Sequence, residues 1–461
     1  MTASKAPLIS MTLVLVACIW LIHQCMHNGH NWGGDFALYI EQSQAMQEGK
    51  IHELYASNSH AMDHSGYAVG PYLYPFGFPL LITPVMMVAG MDFIVLKWFC
   101  ACFLLLSIPM MYLLFKKKST PLAVPLFIIA LMALHAEFVM FCDNVLSDLP
   151  FLFFVLLSFY VIERAKNLRD HSIAAVIFLF TYFIRDAGIA LFPAVIVFHL
   201  FIMDKDKIKS AKKGLLLFYG LYILMFISAK ILLPDGGANQ MRKIVDRFSL
   251  QVVIDNLFYY VGLIMQFFKV MPMLFPIVLA VIITGIVIKA KETFHYVIFL
   301  LGVCGILLIW PHFQGMRFVF PLIPFLIFFG LSGVIYWGQK LRMKMSLIVI
   351  LIGIFAGHVI YKSYGEIIAF KQKDMNECYT DELIAFYDFI KKNTEVNAII
   401  AGDKPTVIRL FTDRNSIQSD QDFFDESVAD YLFLPKYLYK DSKSQNLLVH
   451  ESERYILVKK R

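Results

Sequence analysis

Residues 78–91 read FPLLITPVMMVAGM, and whether this run crosses a membrane decides the reading of everything after it. Apolar runs of ~10–14 residues are more often interfacial or re-entrant than spanning. This one also carries Pro79 and Pro84. The apolar runs around it are longer or bounded by basic clusters: 8–26, 93–115, 120–140, 149–163, 172–184, 188–203, 214–232, 270–288, 294–310, 318–337 and 345–361. With 78–91 left out, these predict about 11 crossings, and the cations decide their orientation. If Lys5 is inside, every inner loop is basic: Lys116–Lys118; Arg164, Lys166 and Arg169; Lys205, Lys207, Lys209, Lys212 and Lys213; Lys289 and Lys291; Lys340, Arg342 and Lys344. Counting 78–91 as a crossing would put Lys116–Lys118 outside and invert all that follows. The expectation is therefore a re-entrant or buried segment, an inner N-terminus and an outer C-terminus.

Composition agrees with that class. Of 461 residues, 59% are apolar and 16% charged, and mean hydropathy is +0.65. Soluble domains stand nearer ~45–50% and ~25%. Disorder, a fibrous repeat and a nucleic-acid-binding module are excluded, and no nucleic-acid partner is expected. The balance of 41 basic against 35 acidic residues matters by position and not by sum. Seven cysteines without a CxxC pair read as core residues. Residues 8–22 lack a small-residue cleavage site and read as a retained helix.

The expected architecture is an all-α polytopic membrane domain, 1–365, followed by a small α/β extracytoplasmic domain, 366–461. Two outer loops interrupt the first: 27–92, containing 78–91, and 233–269. The latter holds an amphipathic interfacial helix in DRFSLQVVIDNLFYYVGLIMQFF. The tail alternates DELIAFYDFIKKN, NAIIAG, KPTVIRLFT, YLFLP and YILVKK, an α/β order.

The crossings read as clean at mid-depth. Ionisable residues gather at their outer ends: Asp35, Asp143, Asp148, Arg185, Asp186, His312 and Arg317. Carboxylates can serve as general base or metal ligand, and Arg or His can hold phosphate oxygens. Such a set predicts one composite site at the outer surface. Each residue also has a plainer reading: Asp35 and Asp148 as helix caps, Arg317 as an interfacial anchor, Arg185 as partner of Asp186 or Asp148. His60, Asp63 and His64, and the i, i+4 pair His23 and His27, are candidate divalent-metal ligands. An ordinary solvated loop is the preferred reading of that patch. Gly-x-Gly-x-x-Gly and Walker patterns are absent.

At this point the chain resembles a family. Gly33-Gly34-Asp35-Phe36-Ala37-Leu38-Tyr39-Ile40, with Ala45 and Glu48-Gly49-Lys50, is similar to the first outer loop of GT-C glycosyltransferases. The nearest branch holds the protein O-mannosyltransferases and the aminoarabinose transferases of lipid A. Tyr74-Pro75-Phe76-Gly77-Phe78-Pro79 resembles their re-entrant segment, and Ser147-Asp148-Leu149-Pro150-Phe151 the opening of their fourth span. Arg185-Asp186-Ala187-Gly188, Arg317 with Pro321 and Pro324, and Asp403-Lys404-Pro405 through Phe411-Thr412-Asp413-Arg414 resemble later segments. Two positions depart: Asp35 lacks the following Glu of the mannosyltransferase pair, and Asp413 stands where a Gly is usual. The resemblance implies a transferase that takes a sugar from a polyprenyl-phosphate donor at the outer face of a bacterial inner membrane. The acceptor, a lipid, glycan or protein, stays open. It implies Asp35 as base with inversion, Asp143 and Asp148 as competitors for a second acidic role, and donor phosphate held by Arg317 and Arg185, with Arg242 or Lys243 as alternatives and His312 as a further candidate. No resident cofactor is expected with certainty, a divalent metal being the one candidate. The rival reading is a lipid-linked-oligosaccharide flippase or polymerase, which would need a hydrophilic cavity along its spans.

Overall fold

The computed structural model describes residues 6–31, 33–66, 70–116, 118, 123–373, 375, 377–439 and 446–460. Lys5 and Lys117, counted among the inner cations, and 120–122 of the third expected crossing lie outside these residues. In chain order the helices are α1 (Ala6–Cys25), α2 (Asp35–Glu48), α3 (Ile51–Asp63), α4 (Gly77–Ala89), α5 (Phe93–Phe115), α6 (Ala123–Ala133), α7 (Ala136–Phe141) and α8 (Asp148–Ile162). There follow α9 (Leu168–Ile184), α10 (Leu191–Val197), α11 (Lys205–Leu232), α12 (Ala238–Arg247), α13 (Leu250–Phe267), α14 (Phe275–Ile309), α15 (Ile323–Lys340) and α16 (Met345–Lys371). The tail runs α17 (Asp381–Asn393), β1 (Ile399–Gly402), α18 (Pro405–Thr412), β2 (Asn415–Gln418), α19 (Gln421–Phe424), β3 (Tyr431–Pro435), β4 (Leu447–Glu451) and β5 (Tyr455–Lys459). Two compact units result. A helical unit takes Met1–Met26, Lys97–Leu232 and Lys243–Lys373, and a mixed unit takes His27–Leu96, Leu233–Arg242 and Asp374–Arg461.

In the helical unit, Leu216 and Ile231 are each 76% exposed and Val287 68%. Large apolar faces left open along long helices need lipid as their solvent. Six helical stretches among the described residues are long and apolar enough to cross a membrane: Ala6–Cys25, Phe93–Phe115, Ala211–Leu232, Leu250–Phe267, Pro272–Ile309 and Met345–Lys371. Four apolar stretches are shorter: Gly77–Ala89, Ala123–Ala133, Asp148–Ile162 and Asp186–Ile202. Between helices, small and hydroxylated residues make the contacts, as expected where burying apolar surface brings little gain. A Cβ on Gly285 would collide with the Phe329 carbonyl, and one on Gly333 with the Val281 carbonyl, so α14 and α15 touch backbone to backbone. Ser158 and Thr181 hydrogen-bond between α8 and α9 at 3.0 Å.

Two expected crossings differ in detail, and one further pair meets at a kink. The pair 270–288 and 294–310 stands as two helical segments within α14 that meet at that kink, where Thr293 is non-helical (φ −135°, ψ 18°). The Thr293 hydroxyl donates back to the Lys289 carbonyl at 2.8 Å, a bond that bends helices. The run 120–140 is split at His135, whose Nδ1 accepts the Glu137 N–H and so caps α7. The run 188–203 becomes a 3₁₀ turn (Asp186–Ala190), α10 and a π turn (Phe198–Ile202). The stretch 246–268, expected as an interfacial helix, forms α13, which is capped by Ser249 and is itself long and apolar enough to cross a membrane. Its Asn256 amide donates to the carbonyls of Leu308 and Trp310 at the end of α14.

The mixed unit replaces the expected loop 27–92 with three helices. Gly49, at φ 71°, closes α2 in the left-handed conformation that favours glycine. The metal-patch residues His60 and Asp63 lie on α3 and not in a loop. The deciding stretch folds as α4, whose 13 residues span only ~20 Å. Phe78, Ile82 and Met86 recur every four residues on its buried face, and Ser43 of α2 meets Thr83 at 3.0 Å. The tail forms a five-stranded sheet in the order β2-β1-β3-β5-β4. β1 is parallel to β2 and β3, and β5 antiparallel to β3 and β4. Leu383, Phe386, Tyr387 and Ile390 of α17 cover one face. KPTVIRLFT is helix because Pro405 opens it at the first turn. Asp413, at φ 54°, ends it in the left-handed region, which is the site where a glycine would be free of strain. Arg414 is buried and donates to the carbonyls of Lys391 and Thr394, closing α17.

Candidate active site

Asp35 opens α2 directly after Gly33-Gly34. Its Oδ1 accepts the Tyr74 hydroxyl at 2.7 Å. Tyr74 is itself fixed by α2. The fully buried Gln42 side chain donates to the Tyr74 carbonyl at 2.9 Å and accepts its N–H at 2.8 Å. The Tyr39 ring stacks on the Tyr74 ring at 4.4 Å. One helix thus carries the carboxylate and both supports of the hydroxyl that orients it. Residues 35, 39 and 42 are spaced four and three apart, which puts them along one side of the helix. Elsewhere in this unit Arg242 neighbours Tyr72, whose hydroxyl donates to Asp63 at 3.1 Å.

The helical unit brings most of the other expected residues into three clusters. Arg185 pairs with Asp148 Oδ1, while Asp148 Oδ2 is buried with no hydrogen-bond partner among the described residues. The Arg185 guanidinium lies 4.5 Å from the centroid of the Phe318 ring and that of Arg317 lies 5.3 Å from it. Two guanidiniums therefore flank one aromatic ring, an arrangement whose charge density suits phosphate oxygens. Asp143 forms a second cluster with Lys97 Nζ at 2.7 Å, both fully buried. In the third, Arg247 Nη1 and His312 Nε2 stand 3.3 Å apart. Burial first, then Arg247 and Lys243, hold the His312 imidazole below its ordinary range and so neutral near pH 7. Burial and Arg247 also lower Lys243.

Among the described residues no three His, Cys, Asp or Glu side chains converge as a metal site. Asp143 and Asp148 each face a side-chain cation instead. His60 and His64 stack on one another, and His64 Nδ1 pairs with the His60 carbonyl.

Several participants escape a reading by motif. Lys97 lies inside an expected crossing, so the crossings are not clean throughout. A lone lysine in an apolar run is the kind of signal that marks a buried partner. Tyr74, Gln42 and Phe318 carry no charge, and Arg247 was one of three cations in a loop with nothing to choose between them.

A model of the dolichyl-phosphate-mannose-protein mannosyltransferase family matches residues 43–202, a segment that includes Tyr74, Lys97, Asp143, Asp148 and Arg185 but not Asp35. Among solved structures, ArnT from Cupriavidus metallidurans in the apo state is 12% identical, with 99% of this chain and 98% of that chain covered and a TM-score of 0.59. The same protein bound to undecaprenyl phosphate is 11% identical, with the same coverage and TM-score. The archaeal oligosaccharyltransferase AglB from Archaeoglobus fulgidus, in complex with an inhibitory peptide and a dolichol-phosphate, is 12% identical. There 94% of this chain and 70% of that chain are covered, at a TM-score of 0.58. No curated protein sequence matches. The fold is the one seen in ArnT and AglB, mostly helical with a small carboxy-terminal sheet, and the chain is an integral membrane protein.

Proposed function

We propose that this chain is a membrane glycosyltransferase that moves a sugar from a polyprenyl-phosphate carrier to an acceptor nucleophile, with inversion. The observation that carries the reading is the Asp35 carboxylate, at the head of α2 and oriented by the Tyr74 hydroxyl. Two proteins of the same fold are seen with undecaprenyl phosphate and dolichol-phosphate, which supports a donor of that class. Asp35 takes the proton of an acceptor hydroxyl as its oxygen attacks the anomeric carbon. The bond from that carbon to the phosphate oxygen breaks, and the electron pair leaves on the polyprenyl phosphate. That leaving group is already stable, so cations replace a general acid. Arg317 and Arg185 meet its charge, Arg242 and Lys243 are the alternatives, and neutral His312 offers a hydrogen bond. Asp143 and Asp148 set the placement of Lys97 and Arg185.

The N-terminus lies in the cytoplasm of a bacterial cell, and Asp35 and the tail lie outside the inner membrane. A reporter fused at Arg461 should read the outer compartment, and an inner signal would overturn that topology. The chemistry is tested by profiling glycolipids and glycoproteins of the native host with wild-type chain or Asp35→Asn. One glycan mass should vanish in the variant, which also names the acceptor. Wild-type turnover by the variant would remove Asp35 as base.

A further inference from the structure

Two contacts from the tail grip α2 beside the carboxylate it carries, and the proposed chemistry uses neither. Thr406 Oγ1 donates to the carbonyl of Gly34, the residue before Asp35, at 3.3 Å. Arg409 forks onto Glu41, Nε to Oε1 at 2.7 Å and Nη2 to Oε2. Both donors sit on α18 three residues apart and so share one side of it. Their acceptors bracket the first two turns of α2. Gly34 accommodates the approach, since a Cβ there would stand 2.9 Å from Thr406 Oγ1. The Arg409–Glu41 pair is almost wholly buried, at 11% and 7% side-chain exposure. Burial pushes the Glu41 carboxyl up although Arg409 pulls it down.

A bidentate guanidinium–carboxylate pair fixes direction as well as distance. A buried pair of this kind is weak evidence for stability, because two apolar side chains could fill the space at no loss. What the pair supplies here is orientation. A second bond at the helix start removes the remaining freedom to rotate.

We propose that Arg409 and Thr406 are positioning residues for Asp35: through Glu41 and the Gly34 carbonyl, α18 sets the rotation and axial placement of α2, so that the carboxylate meets both the Tyr74 hydroxyl and the acceptor. This rests on the reading of Asp35 as the base. A misplacement of ~1 Å in a reacting group can cost about 100-fold in rate, so loss of the clamp in a folded chain should cost about 10–100-fold.

The test uses the full chain in native-host membranes, whose own lipid-linked sugars and acceptors serve as the probe. Product is the glycan mass missing with Asp35→Asn. Two variants carry it: the matched apolar pair Glu41→Met with Arg409→Met, which leaves no buried charge unpaired, and Thr406→Val, which removes one donor. Rates are normalised to folded protein by thermal melting and followed from about pH 3 to pH 9. The expected result is wild-type melting, a fall in rate, and an acid limb moved to higher pH as Asp35 leaves the Tyr74 hydroxyl. Charge exchange, Glu41→Arg with Arg409→Glu, should restore part of the rate. Wild-type rate and profile in either folded variant would overturn the proposal, as would a fall in rate that only tracks lost folded protein. If Asp35→Asn itself turns over normally, the base assignment fails first and the clamp falls with it, whatever the Arg409 variants do.

Discussion

Replacing Tyr74 by Phe removes a single oxygen from the Asp35 environment and leaves its supports in place. The Gln42 amide still holds the backbone of residue 74 through two hydrogen bonds, and the ring can still stack on Tyr39. The lost interaction is a hydroxyl donating to a carboxylate at 2.7 Å. Hydrogen bonds to charged groups contribute ~1.5–3 kcal/mol. A donor of this kind favours the ionised form, so without it the carboxylate takes up its proton at higher pH. At ~1.36 kcal/mol per pH unit, the acid limb of the pH–rate profile should rise by about 1–2 units. The plateau above it should fall as well, because the hydroxyl also orients the carboxylate. Initial rates of product formation in native-host membranes, measured from about pH 3 to pH 9, give the limb directly. An unmoved limb with full activity would refute the coupling of Tyr74 to a proton-accepting Asp35. An equal loss at every pH would place Tyr74 in substrate binding instead.

Lys97→Met should destabilise the folded chain by ~3–5 kcal/mol, because it breaks the buried Lys97–Asp143 pair, and adding Asp143→Leu should recover most of that. Thermal unfolding in detergent reads both, and additive losses would contradict a coupled pair. Gly285→Ala and Gly333→Ala should each cost ~1–3 kcal/mol by forcing α14 from α15, with a double variant costing less than the sum. Asp413→Ala should lower stability by ~1 kcal/mol at its left-handed position, whereas Asp413→Gly should be neutral or better. Glu395, held down to about 2 by hydrogen bonds from Lys459 and Tyr431, contributes stability above its ordinary 4.5 that is lost as pH falls toward 2. The melting temperature should drop through that window in wild type and not in Glu395→Gln.

The apolar runs and the cation clusters between them foretold the helical class, because lipid leaves so few alternatives. α5 and α8 begin and end within a residue of the runs that announced them. Of the helices within 27–92, expected as a loop, only the start of α2 was legible, where Asp35 reads as a residue that opens a helix. What was not legible depends on contacts distant in sequence or on one residue's backbone. Nothing in 270–310 announces that the break between its two expected crossings is a kink at one threonine bonding back to Lys289. Glu41 reads as an ordinary helix acid until Arg409 stands opposite it. Asp413, by contrast, was visible as a departure from a glycine, and its positive φ supplies the reason.

The fork between Glu41 and Arg409 joins residues 368 positions apart, and a ribosome makes them in order. At ~5–20 residues per second, the helix bearing Asp35 is finished about 20–70 s before its counter-charge exists. During that interval translation completes every residue of the helical unit, whose last segment ends at Lys373. Membrane insertion can therefore finish while the seat of α2 is still missing, and biogenesis becomes a two-stage process with its second stage timed by the tail. A premature stop after residue 373 would leave an inserted protein with its membrane helices intact and an unneutralised acid on α2. Such a product would pass any check of insertion and fail only a check of the completed carboxy-terminal fold, so truncation there discards contacts to α2 and not a dispensable appendage.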